Sequence, residues 1–213
     1  VTVTGTSSFA TSAADADITV DQLASTGAVS LTTTGTTGAA TVVNATDLDL
    51  AASTVNGDLV ATATTGNLTD SGTVTVTGTS SFATSAANAD ITVDQLASTG
   101  AVSLSTTGTS GAATVVNATD LDLAASTVNG DLVATATTGN LTDSGVVTVT
   151  GTSSFATSAA DADITIDQLA STGAVSLITT GTTGSATVVN ATDLDLAAST
   201  VNGDLVATAT TGN

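Results

Sequence analysis

The chain has 213 residues and a formal charge of −19, carried entirely by Asp, with no Lys, Arg, His, Cys, Met, Pro, Trp or Tyr. Without a cationic side chain nothing neutralises phosphate, which excludes nucleic acid and anionic lipid as partners, and without His or Cys there is no zinc, haem, iron–sulfur or thiol chemistry and no Ser-His-Asp arrangement. Apolar residues make up 41% of the chain, too many for a charge-dominated disordered segment, and no run approaches the 18 apolar residues of a membrane span.

The predicted elements are β throughout. Val1-Thr2-Val3-Thr4 alternates apolar and polar residues, and Phe9 opens a second extended stretch. Ile18-Thr19-Val20, Val29-Ser30-Leu31, a strand from Thr41 and Leu48-Asp49-Leu50 repeat the pattern, and Leu59 to Thr64 does so with smaller residues. Turn signals separate them at Gly5-Thr6-Ser7, Ser25-Thr26-Gly27, Asn56-Gly57, Gly66-Asn67 and Asp70-Ser71-Gly72. The Ala-rich pieces Ala10 to Ala16 and Gln22 to Ala24 are too short and uncapped for helices.

From Val74 the text starts again. The only aromatic residues, Phe9, Phe82 and Phe155, recur every 73 residues, which divides the chain into repeats 1–73, 74–146 and an incomplete 147–213. A fixed period of this kind denotes an array of stacked supersecondary units. Two interleaved series of strand starts, from Val1 and from Phe9, give about four coils of roughly eighteen residues per repeat, with three larger coils as the alternative. At about 4.8 Å per rung, four rungs advance roughly 19 Å and the whole chain measures somewhat under about 60 Å. The fold class is therefore all-β, a parallel β-helix (β-solenoid), with Val, Leu, Ile and Phe inside and Thr, Ser, Asp and Asn outside. A string of β-sandwiches needs about seven strands and a two-sheet core in each repeat with one Phe, and no linker-like composition separates the units.

The copies differ in few places. Repeats one and two differ at Asp15/Asn88, Thr32/Ser105, Thr37/Ser110 and Thr73/Val146. The first reads as a solvated turn. The third repeat carries Ile166 for Val20, a change that a buried site tolerates, and Ile178 for Thr32, which alternation points outward.

Four acids stand out as a candidate metal set. Asp15, Asp17, Asp47 and Asp49 fall in close pairs that could hold Ca²⁺ loosely through oxygen ligands. Asn88 at the Asp15 position argues for solvated charges instead, and no resident cofactor is expected. The same pairs could serve as glycosidase carboxylates, but near-identical copies offer no place where symmetry breaks, and no catalytic residue is assigned. Thr2-Val3-Thr4 and Thr62-Ala63-Thr64 could form the flat hydroxyl array of an ice-binding face if such pairs align on successive rungs. Asn44-Ala45-Thr46 and Asn67-Leu68-Thr69 match the N-glycosylation pattern and are read as structural turn residues.

The phrases Gly66-Asn67-Leu68-Thr69-Asp70-Ser71-Gly72-Thr73-Val74-Thr75-Val76-Thr77-Gly78 and Gly27-Ala28-Val29-Ser30-Leu31-Thr32-Thr33-Thr34-Gly35 resemble the repeat tracts of very large bacterial secreted proteins. These are the filamentous haemagglutinin and autotransporter-adhesin types. The resemblance covers the whole chain and implies a right-handed parallel β-helix, export to the cell surface, and a role as stalk, adhesin or extracellular fibre. It carries over no binding residue. The expected function is thus mechanical, with copies of the chain, end to end or laterally, and host or cell-surface ligands as partners. Ice or carbohydrate binding and self-assembly into filaments are the alternatives. The chain is expected to be an excerpt of a longer protein, and it contains no trypsin site.

Overall fold

The computed structural model describes residues 1–213. It contains strands and turns and no helix, and every strand pair is parallel. The strands stack into two sheets facing each other, and the chain crosses from one to the other at each corner. This is a β-solenoid of about ten turns. Residues one rung apart are separated by 19 (Ala40 and Leu59) to 23 positions (Leu68 and Ile91).

The rung count differs from four per repeat, and the reason is local. Leu68–Asp70 and Val74–Val76 both stack in the same sheet, as do Leu48–Leu50 and Ser53–Val55. The signal Asp70-Ser71-Gly72 is therefore a kink within one side and not a corner, and it sits on the matching kink Ala51-Ala52 below: Ser71 donates its N–H to the Leu50 carbonyl at 2.9 Å. Seven sides then make one repeat, which is three and a half turns of the coil. Ser53–Val55 is a strand that the alternation pattern does not single out.

An odd number of sides has a geometric consequence. Ser7–Ala14 lies in the 11-stranded sheet, its counterpart Ser80–Ala87 in the 13-stranded sheet, and Ser153–Ala160 in the first again. Successive repeats thus present the same residues on opposite flanks.

One apolar cluster runs from Ile18 to Val188 and crosses both repeat boundaries without a break. Val74 makes the point: it pairs with Ser53 of the preceding repeat and with Leu96 of its own. Phe82 and Phe155 are fully buried and form the bulkiest part of the column, while Phe9, on the first turn, is only half-buried. Strand residues alternate buried and part-exposed, as the period-two pattern requires. Ile166 is fully buried, and Ile178 points outward, 41% exposed.

The expectation that polar residues lie outside needs correction. Ser25, Asn44 and Thr33 and their counterparts are buried in the interior corners. They are tolerated because each is hydrogen-bonded.

Candidate functional site

Three features recur in every repeat: a buried polar corner, a set of acids clamped to the next rung, and a shallow groove beside a β-bulge.

The corner is built on Asn44, Asn117 and Asn190, all fully buried. The Asn117 Oδ1 accepts from the Ser98 N–H at 2.8 Å, and its Nδ2 donates to the Ser98 carbonyl at 2.8 Å and to the Asp120 carbonyl at 2.6 Å. Thr119 Oγ1 donates to the same Ser98 carbonyl at 2.9 Å. The side chain thus bridges two rungs and closes its own turn. With its amide fully engaged, the glycosylation-like triplet at Asn44, Asn117 and Asn190 is structural. The second triplet differs, since Asn67 is exposed and its Oδ1 accepts from the Asp90 N–H at 2.9 Å.

The acids weighed as calcium ligands are engaged with the next rung, three of them through its backbone N–H groups. Asp15 Oδ1 accepts from the N–H groups of Thr36 and Thr37 at 2.6 and 3.0 Å. Asp17 accepts from the Ala39 N–H at 2.9 Å and Asp47 from the Asn67 N–H at 2.7 Å. Asp49 Oδ2 accepts from the Ser71 hydroxyl at 2.9 Å, while its Oδ1 has no partner. Asp58 adds the N–H of Thr79 at 2.7 Å. Each donor lies one rung further along the chain, so the acids form a directional series of inter-rung clamps. No three acidic side chains converge on one point.

Asp15 and its counterparts have a second role. Asp15, Asn88 and Asp161 hold φ between 61° and 64°, the left-handed region that Asp and Asn enter most readily among residues with a side chain. Asn88 accepts from Thr109 and Ser110 in the same way, at 2.8 and 3.1 Å. The Asp/Asn exchange at this position keeps the oxygen that matters, so the turn is exposed but bonded. The two backbone N–H donors hold the Asp15 and Asp161 carboxyls below the usual 3.8.

The groove arises from a bulge. Two residues, Asp94 and Gln95, face the single residue Val116, with Val93 paired to Val115 and Leu96 to Asn117 on either side. Their N–H groups would lack ladder partners, and the Asp70 carboxylate of the rung below takes both, at 3.0 and 2.9 Å. Asp143 does the same for Asp167 and Gln168. Partial burial pushes the Asp70 and Asp143 carboxyls above 3.8, outweighing these bonds. Sequence reasoning missed this cap, whose only signal is its recurrence. Beside each bulge runs a shallow groove of about 350, 220 and 180 Å³ in the three repeats; the Asp-Gln-Leu bulge and one Val, Ala and Thr recur in every lining, while Val1 and Thr2 border the first groove where Thr73 and Val146 border the others.

The candidate ice-binding pairs do not form a lattice. Thr62 lies on the strand face, whereas Thr64 turns the corner, its N–H bonded to the Asn44 carbonyl. The outward column Thr69, Thr92, Thr114 continues as Val133, Ser154 and Ser176 and is one threonine wide.

Residues 37–105 and 110–178 each match one family, Repeats of unknown function (DUF5649). The chain belongs to this family. The two matched segments are offset by one repeat period and cover more than half of the chain, so the family unit recurs in step with the 73-residue repeat. No curated protein and no solved structure matches the chain.

Proposed function

We propose that this β-solenoid is a structural segment of a bacterial extracellular fibre or adhesin stalk, with mechanical and not catalytic work. The observation that carries the reading is the unbroken inter-rung bonding. One apolar column, a buried amide corner in each repeat and the directional Asp clamps all join a rung to its neighbour and none closes a repeat on itself. Such a rod gains stability with each added rung and exposes strand edges only at its two ends. Its charge keeps rods apart unless cations bridge them. Extracellular placement rests on the resemblance of the repeat phrases and on the lack of trypsin sites. Copies of the chain and cell-surface ligands are its expected partners.

The test is antibody labelling of intact cells that express the protein. Labelled fibres at the surface are expected, and labelling only after permeabilisation would overturn the reading.

A further inference from the structure

We infer that the bulge groove is a docking site for a basic, aliphatic-stemmed peptide segment of a protein partner, one site per repeat. In the second repeat the site consists of Asp94, Gln95, Leu96, Val116, Ala118 and Thr137, with Thr73 of the preceding rung at its edge. The same groove recurs beside Asp21 and beside Asp167, so it is a property of the repeat.

Its chemistry selects the occupant. The floor is aliphatic, from Leu96, Val116 and Ala118, and the wall carries the exposed Asp94 carboxylate. The bulge N–H groups, which could otherwise attract an anion, are consumed by Asp70 here and by Asp143 in the third repeat; in the first groove the Val1 ammonium donates to the Gln22 carbonyl. No Lys, Arg or His exists in the chain to neutralise Asp94, and a second copy would bring the same negative charge. A lysine side chain fits both halves of the groove, with its stem on the aliphatic floor and its ammonium at the carboxylate. The lining spans four rungs, about 14 Å along the rod axis, which accommodates about four extended residues. Because repeats alternate flanks, grooves of successive repeats face opposite ways, and a rod holds such partners on both sides.

The experiment is an NMR and calorimetric titration of the full chain with acetyl-Lys-Val-Lys-Val-Lys-amide at about 0.15 M salt, where long-range attraction between exposed charges is screened. Saturable binding at three sites is expected, with shifts confined to the grooves. The triple variant Asp21→Asn, Asp94→Asn, Asp167→Asn is expected to bind about tenfold more weakly, the scale of one charge-assisted contact. A control removing equal charge elsewhere (Asp15→Asn, Asp131→Asn, Asp161→Asn) is expected to keep binding within about twofold, since distant exposed charges are screened. Should the groove variant misfold, Ala45→Lys, Ala118→Lys and Ala191→Lys at exposed positions fill the grooves with the chain's own ammonium groups and are expected to block the peptide. Equal losses in groove variant and control would overturn the proposal, as would no saturable binding. Groove shifts that track rod concentration without peptide would also overturn it, since a second copy would then be the occupant.

Discussion

At the scale of single residues, asparagine and aspartate carry different jobs in different places. At position 88 only an acceptor oxygen in a left-handed turn is required, which is why the chain itself uses Asp15 and Asp161 there. Asn88→Asp is therefore expected to leave the melting temperature nearly unchanged, and Asn88→Ala to cost about 1–2 kcal/mol for placing a Cβ-bearing residue without a local acceptor at positive φ. At position 117 the amide must donate as well as accept, in a fully buried corner. Asn117→Asp cannot donate and leaves two carbonyls facing a carboxylate; like Asn117→Ala, it is expected to cost about 2–4 kcal/mol in denaturant titration. Sequence alone could not separate the two sites. Both read as polar turn residues, and burial of Asn117 follows only from the rung it stacks on.

At the scale of the element, alternation made most strands legible, because Thr and Val at period two leave little else to form. Corners and kinks were not distinguishable: Asp70-Ser71-Gly72 has the composition of a turn but bends a side that continues through Val74–Val76. The bulge cap was hidden for a similar reason, since Asp70 and the Asp94-Gln95 pair it serves are a full rung apart in sequence. Its titration gives a signed prediction. Asp70 and Asp143 sit above 3.8, so their ionisation opposes the fold; the stability they hold when protonated is lost as pH rises through their folded values. Asp15 and Asp161 sit below 3.8, so their contribution is present above that value and lost as pH falls through their own folded values. With relief of self-repulsion added, the melting temperature is expected to rise as pH falls from 7 through the folded values of Asp70 and Asp143, and to turn over as pH falls below 3.8 through those of Asp15 and Asp161. The variant Asp70→Asn, Asp143→Asn flattens the rise, and a monotonic fall from pH 7 would contradict the assignment. Tight stacking gives a further prediction at Gly100, where an added Cβ would fall on the Gly78 carbonyl oxygen of the rung below. Gly100→Ala is expected to cost about 1–3 kcal/mol in thermal unfolding, the usual penalty of overpacking.

At the scale of the whole molecule, the fixed period announced an array, and the scarcity of aromatics and lack of linkers pointed to one thin continuous core. The half-integral turn count did not show in the text, because identical residues give no sign of which flank they occupy. That count is the central structural claim, and it fixes where equivalent residues stand. Thr19 and Thr165 are counterparts two repeats apart, lie in the same sheet and are seven rungs distant. With no native cysteine to interfere, the double variant Thr19→Cys, Thr165→Cys can be spin-labelled and measured by pulsed electron paramagnetic resonance. A single narrow peak near about 34 Å is predicted from the rung spacing; a peak near about 38 Å, as eight whole rungs would give, or a broad distribution from separately folded repeats would contradict the account.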